Sequence, residues 1–380
     1  MKGSGPLADV RVLELAGIGP APFCGMLLAD LGADVLRIER PEVTDLGIEI
    51  ERKYDLLNRG KRSLGVDLKK PKGVELVLKL AASADVLIEG FRPGVTERLG
   101  LGPDVCLERN PNLVYGRMTG WGQQGPLASA AGHDINYIAL TGALNAIGPK
   151  GQPPFAPLNL VGDFGGGAMY LAVGVLAAIL TARAGNGGQV VDAAMVDGAS
   201  HLMTLFYGLQ QMGSWKDERG VNVLDGGAYY YGVYETSDKK FVAVGAVEKR
   251  FQRDLLTRLE IDGAGLTEDR VREIVAETFR TKTREEWRSI LEGTDVCFAP
   301  VLSLSEAPSH PHNRSRDIFV EVDGVTQPAP APRFSRTPGQ IRSSAPEMGG
   351  GGSHAVSDWL GADVTTSLDD LAKQNIVFTQ

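Results

Sequence analysis

Two stretches of the chain carry residues able to take a proton from one carbon and return it. In Gly132-His133-Asp134-Ile135-Asn136-Tyr137, His133 closes a loop rich in Gly, Pro and Ala. It precedes apolar residues at helical spacing (Ile135, Ile138, Ala139, Leu140, Leu144), with Asp134 suited to cap that helix. A helix N-terminus disfavours imidazolium, so the ring is kept in the neutral form that a base requires. Of the five histidines, His310, His312 and His354 fall in loop-like or tail-like stretches, and His201 lies in an apolar helix where a core role suffices. The second stretch, Leu160-Val-Gly-Asp163-Phe-Gly-Gly-Gly167, places a carboxylate at the mouth of the most apolar run, Ala168 to Ala182. Its glycines let backbone or ligand approach closely. An N-cap role worth about 1 kcal/mol also explains Asp163 and is compatible with catalysis. A third carboxylate, Glu248, ends Val244-Gly-Ala-Val-Glu248 after a strand; it either orients an imidazole or faces solvent.

Other motifs bear on anions and cofactors. Gly17-Ile-Gly19-Pro-Ala-Pro22 half-resembles a dinucleotide fingerprint, and Glu39 ends the next strand where a ribose-binding acid would stand. However, Pro20 and Pro22 remove N–H donors that a pyrophosphate needs at a helix start, which favours a structural turn with proline at the first helical position. Basic residues crowd positions 52 to 72 (Arg52, Lys53, Arg59, Lys61, Arg62, Lys69, Lys70, Lys72) in a chain of net charge −8. A solvated face explains most of them. Arg40 and Arg92 are more specific: each follows a strand, so each can face the crevice outside the strand ends and offer a planar fork to phosphate. Arg98 follows in Gly90-Phe91-Arg92-Pro-Gly-Val-Thr-Glu-Arg98. No HxxxH, CxxC, P-loop or GxSxG pattern occurs, so no metal site is expected.

The elements that must hold these residues read as α/β. Val10–Leu15, Phe23–Gly32 and Asp34–Ile38 form strand, helix and strand; a helix over 71–82 and strands at Asp85–Ile88 and Leu113–Met118 extend a Rossmann-like open parallel sheet. Residues 132–209 read as mainly helical. The pattern changes near Leu224, where strands at 229–235 and 240–247 precede helices at 251–259, 268–279 and 283–291. This places a large domain at 1–223 and a smaller α+β domain at 224–325. A C-terminal segment at 326–380 follows, extended over its Pro/Ser/Gly-rich part to 352.

The composition is that of a globular protein, 43% hydrophobic and 23% charged. An acidic chain argues against nucleic acid as a partner. Cys24, Cys106 and Cys297 are too far apart for a redox or metal motif and fit free thiols in the cytoplasm. Met1–Pro6 lacks a signal-type apolar run, and the run at 168–182 is shorter than the roughly 20 residues of a span, so no membrane segment is expected.

Taken together, Glu14-Leu-Ala-Gly-Ile-Gly-Pro20, Asp30-Leu-Gly-Ala-Asp-Val-Leu-Arg-Ile38, Glu89-Gly-Phe-Arg-Pro-Gly94, Gly120-Trp-Gly-Gln, Gly132-His-Asp-Ile-Asn-Tyr137, Gly162-Asp-Phe-Gly-Gly-Gly167 and Gly188-Gln-Val-Val-Asp-Ala-Ala-Met-Val-Asp-Gly198 resemble the family III CoA-transferases. The likeness runs from about residue 6 to Arg336 and is strongest to the branch that racemises α-methylacyl-CoA. It implies an acyl-CoA substrate and an interlocked homodimer in which the large domain uses both chain ends. CoA contacts are implied at Arg40, Val66, Asp67, Leu68, Lys69, Gly90, Phe91, Arg92, Arg98, Gly132, Asp134, Ile135, Asn136 and Tyr137. His133 and Asp163 match the catalytic pair. Glu248, supplied by the second subunit, would hydrogen-bond His133, and Tyr231 matches a further site position. The transferases of the family use the aspartate at 163 as a nucleophile, through an acyl–enzyme anhydride, and generally lack the histidine at 133. The presence of His133 therefore favours the racemase branch.

The chemistry needs only these side chains. A thioester acidifies its α-hydrogen because the carbanion delocalises onto the carbonyl oxygen as an enolate. Two acid/base groups on opposite faces then invert the carbon with no metal or organic cofactor. Backbone N–H groups around Asp163 or its glycines are candidate donors to the enolate oxygen. Broad acyl-chain tolerance is expected, with Met195, Met203 and Met212 as candidates for an apolar surface.

Overall fold

The computed structural model describes residues 4–42, 47–361 and 365–379. The first three residues of the N-terminal stretch lie outside that description. Contacts divide the chain into a large unit (1–141, 158–202 and 317–380) and a small unit (142–157 and 203–316).

The large unit is built on a seven-stranded sheet. Strands β1 (Arg11–Leu15), β2 (Asp34–Glu39), β3 (Arg62–Val66), β4 (Val86–Glu89), β5 (Val114–Thr119) and β6 (Val190–Ala194) run parallel in the order β3-β2-β1-β4-β5-β6. The short strand Val377–Phe378 adds antiparallel to β3. The inner strands are buried on both faces and mainly apolar, whereas the edge strand β6 is exposed at Val190 and Asp192. Leu13, Leu36, Leu64, Leu87 and Tyr115 share one core with Val356 and Trp359. Val12, Val35, Val86, Ile88 and Val114 form the other with Leu28, Leu171 and Val175.

Helices α1 (Pro20–Asp30) and α2 (Pro71–Ala82) cross between strands. They are followed by α3 (Asp134–Ala139), α4 (Met169–Thr181) and α5 (Met195–Leu202). Strand order reverses at β1, so the loops after β1 and β4 border the crevice where ligands bind in such sheets.

Three readings of the large unit are corrected. Residues 132–209 include β6, whose Val-Val-Asp-Ala-Ala has too little apolar alternation to stand out. Strand β3 was hidden inside the basic run. The apolar helix is longer than 168–182: π-helical turns at Leu160–Ala168 and Ala182–Asn186 extend it on both sides. The resulting 27-residue stretch is long and apolar enough to cross a bilayer. Here it packs Leu171, Ala172, Val175, Ala178 and Ile179 against the sheet.

In the small unit, β7 (Tyr231–Glu235), β8 (Phe241–Gly245) and β9 (Phe298–Val301) form an antiparallel sheet. It shares a core with α6 (Lys249–Arg258), α7 (Glu268–Phe279) and α8 (Arg284–Leu291) around Val242, Leu255, Phe279 and Trp287. Thr283 and Glu286 cap α8 reciprocally: Thr283 N–H donates to Glu286 at 2.7 Å, and Glu286 N–H donates to Thr283 Oγ1 at 3.2 Å.

The domain limits differ from 224–325 at both ends. Arg219 donates to the Asn145 carbonyl at 2.9 Å and the Gln152 carbonyl at 2.6 Å, drawing both flanking stretches into the small unit. At the other end, Phe319–Val322 pairs with Val325–Pro328, and Arg59 of the large unit donates to Gln327 at 2.8 Å. The segment after 326 is tied down rather than merely laid on the surface. Arg342 donates to the carbonyls of Ala33 and Gly60, and Gln340 N–H to Asp30 O at 2.9 Å.

Candidate active site

Asp163 lies inside the π-helical segment Leu160–Ala168, not at its cap. Its carboxylate therefore does not cap that segment, and its backbone is held by another aspartate. Asp134 Oδ1 accepts the Asp163 N–H at 2.6 Å. Asp134 was expected to cap α3, but His133 occupies that N-cap position and Asp134 opens the helix. His133 N–H in turn donates to Asn136 Oδ1 at 3.0 Å. One residue thus links the two catalytic candidates: the neighbour of His133 anchors Asp163.

The Asp163 N–H is consequently engaged and is removed from the candidate donors to an enolate oxygen. The following glycines serve packing. A Cβ on Gly166 would come within 2.5 Å of the Ala199 nitrogen, and one on Gly198 within 1.8 Å of the Gly166 oxygen, so side chains here would push α5 away.

Burial pushes the Asp163 carboxyl above the ordinary carboxylate range. The Asn159 amide, donating to Asp163 Oδ2 at 3.2 Å, opposes the rise; the Asp134 carboxylate adds to it, and His133 acts against it. Asn159 was not singled out in the sequence. Its signal is a spacing of four from Asp163, which has meaning only once a helical turn is known to join them. From the other side, Gly19, the left-handed residue (φ +66°) before Pro20, faces the carboxyl: a Cβ there would lie 3.1 Å from Asp163 Oδ2. Phe23 of α1 stacks on Phe164 with centroids 4.4 Å apart, holding that loop in place.

The half-fingerprint at 17–22 is thus a turn beside Asp163. Glu39 is not available to a ribose, because it is occupied by Arg37 at 2.9 Å, Arg52 at 2.8 Å and Ser63 at 2.7 Å.

Several implied CoA contacts converge on the same end of the sheet. The Arg40 guanidinium sits 5.3 Å from the centre of the Phe91 ring, joining the ends of β2 and β4 across β1. The Tyr137 hydroxyl donates to the Gly132 carbonyl. Its phenol is pushed up to about 12 by burial and then by Asp163, with Arg92 opposing, so Asp163, Tyr137 and Arg92 share one electrostatic neighbourhood. Gly90, Arg92, Arg98, Ile135 and Asn136 are exposed near this end, while Val66 is buried. Asp67 accepts the Lys69 N–H at 3.0 Å, and Lys69 Nζ pairs with Glu42 at 3.1 Å on the open surface. Leu68 packs against the core.

Glu248 and Tyr231 belong to the small unit. Glu248 is the exposed N-cap residue of α6. Tyr231 borders a cavity of about 920 Å³ that is also lined by Lys150, Arg272, Cys297 and Phe298. Of the methionines, Met195 is buried, Met203 half-buried and Met212 exposed.

Residues 7–351 match the sequence profile of CoA-transferase family III. The chain is 46% identical over 341 residues to the mouse (Mus musculus) protein named alpha-methylacyl-CoA racemase, with 87% of each chain covered. It is 42% identical over 347 residues to the human protein of the same name, again with 87% of each covered. The crystal structure of a CAIB/BAIF family protein from Brucella suis superposes with a TM-score of 0.79 at 26% identity, covering 96% of this chain and 100% of that one.

Proposed function

This chain belongs to CoA-transferase family III, and we propose that it interconverts the (2R) and (2S) epimers of 2-methylacyl-CoA thioesters through an enolate. The observation that supports this reading is that the neighbour of His133, Asp134, holds the Asp163 backbone while His133 acts electrostatically on the Asp163 carboxyl, as a pair sharing a single proton requires. In one direction neutral His133 takes the α-proton, the C–H electron pair moves onto the thioester oxygen, and protonated Asp163 delivers a proton to the opposite face. In the reverse direction the carboxylate is the base and the imidazolium the acid. A partly buried carboxyl with a raised pKa is suited to that exchange because its protonated form is accessible. The thioester supplies the acidity, so the reaction requires no metal or organic cofactor.

The CoA part is assigned to Arg40, Arg92, Arg98 and the loops that carry them. A second copy of the chain is the assigned partner, with its Glu248 completing the site. Supporting this, α4 leaves Met169, Val173 and Leu180 exposed along one face, and the helix Thr204–Gln211 buries none of its residues. The free thiols and the core packing of α4 support a cytoplasmic protein.

The test is proton NMR of a single-epimer 2-methylacyl-CoA in D2O with no acceptor added. Loss of the α-proton signal together with growth of the other epimer is expected, and His133→Ala and Asp163→Ala should each abolish it. No exchange, with acyl transfer to an added carboxylic acid, would replace this reading with an Asp163 anhydride transferase.

A further inference from the structure

The loop Gly90–Arg98 carries two of the arginines assigned to CoA, and both of its ends are tied to one buried guanidinium. Arg117 on β5 donates from Nε to Glu89 Oε1 at 2.8 Å and from Nη1 to Glu97 Oε1 at 2.8 Å. The other oxygen of Glu89 accepts the Phe91 N–H at 2.7 Å, which fixes the turn leading into Arg92. Glu97 directly precedes Arg98. The Arg98 guanidinium lies over Gly94, where a Cβ would come within 3.0 Å of its Nη1. Register explains the arrangement: Glu89 and Arg117 are opposed on neighbouring parallel strands, so their side chains share a face. Arg117 is only 6% exposed and points into the two acids, so it does not itself touch a ligand.

We propose that Arg117 is a positioning residue for CoA: it clamps the two ends of the 90–98 loop, setting the spacing of Arg92 and Arg98 for the phosphates of the nucleotide. This inference rests on the acyl-CoA reading above. The clamp also has an electrostatic role. Without its cation, Glu89 and Glu97 would place two carboxylates beside a site meant for a polyanion. Lysine cannot replace it, because a single ammonium does not present the planar fork that spans two carboxylates.

The experiment compares wild type, Arg117→Lys and Glu97→Gln. Free CoA binding is measured by calorimetry, and epimerisation is measured with both 2-methylacyl-CoA and the corresponding pantetheine thioester, which lacks the nucleotide. The expected result for Arg117→Lys is a Kd for CoA raised about tenfold, the scale of losing a preordered loop. KM for the CoA thioester should rise in parallel, with kcat and all pantetheine-thioester parameters near wild type. Glu97→Gln, whose side chain is partly in water, should show the same pattern more weakly. Unchanged CoA affinity in Arg117→Lys overturns the clamp, as does an equal loss with the pantetheine thioester, which would signal general structural damage. Absence of CoA binding by the wild-type protein overturns the acyl-CoA reading itself, and the clamp with it.

Discussion

Two ionic clusters stand at the carboxyl ends of the same sheet, and they differ in how far water reaches them. Beside β1, Glu14 and Lys61 pair at 2.7 Å with neither side chain exposed. Lys61 also donates to the Pro22 carbonyl at 3.0 Å and to Asn58 Oδ1 at 2.9 Å, so it holds the first turn of α1. At the ends of β4 and β5, Glu89 is as deeply enclosed, but the Arg117 side chain is 7% exposed and that of their third member, Glu97, is 43% exposed. The sealed cluster supports a helix start and the turn that leans on Asp163. The open cluster supports a loop bearing arginines that meet solvent. A charge pair enclosed on every side cannot be relieved by water when one partner is lost, whereas a cluster with one wet member can relax.

That difference predicts a graded set of outcomes. Lys61→Met should cost about 3 kcal/mol of stability in urea unfolding, because it leaves the buried Glu14 carboxylate with only the longer pair to Arg37 at 3.7 Å. Adding Glu14→Gln should recover most of that loss; a double variant no more stable than the single would show that packing, not charge, holds the turn. Arg117→Lys should cost less, about 1–2 kcal/mol, since Glu97 can turn to water. A loss equal to that of Lys61→Met would erase the distinction between the clusters.

Asp163 provides a third point, a half-buried carboxyl with no Lys or Arg paired to it among the described residues. Its raised pKa means that its ionised form disfavours the fold at neutral pH. That penalty is present above the folded pKa and disappears as pH falls through it towards the ordinary carboxylate value. Asp163→Asn should therefore melt at a higher temperature than wild type at neutral pH, with the gap closing near about pH 4, while its epimerisation should be lost. A lower melting temperature at neutral pH would contradict the assigned shift. The smallest effect belongs to the surface pair of Arg109 and Glu75 at 3.1 Å, both largely in water: Arg109→Ala should leave the unfolding midpoint unchanged within error.

The parts of this molecule legible in the sequence are those written in short periods. Residues 71–82 alternate at helical spacing behind a proline, and the helix forms over those very residues. Helix 268–279 was equally readable. β1, β2, β4 and β5 announced themselves as apolar runs, and their order with the intervening helix implied parallel pairing. Arg40 and Arg92 could be assigned to the ligand-facing end because a residue after a parallel strand has little choice of direction. His133 and Asp163 stood out through their loop position and the glycines around them.

What the sequence could not settle were relations between distant residues. Nothing local to Asp134 shows that its carboxylate will hold the backbone of Asp163 rather than cap its own helix; the choice depends on α3 and the 160–168 segment being brought side by side. Asn159 acquires its role from a helical turn that begins only at Leu160. β6 and the inclusion of 142–157 in the small unit follow from pairing with β5 and from Arg219, neither of which leaves a local pattern. By itself, then, the sequence determined the α/β class and the principal helices and put forward a pair of residues suited to proton transfer, because local periodicity and side-chain chemistry act over a few residues. Only the tertiary structure decided which carboxylate anchors a backbone and which one receives only the Asn159 amide. That depends on burial and on hydrogen-bond partners that folding brings together from far along the chain.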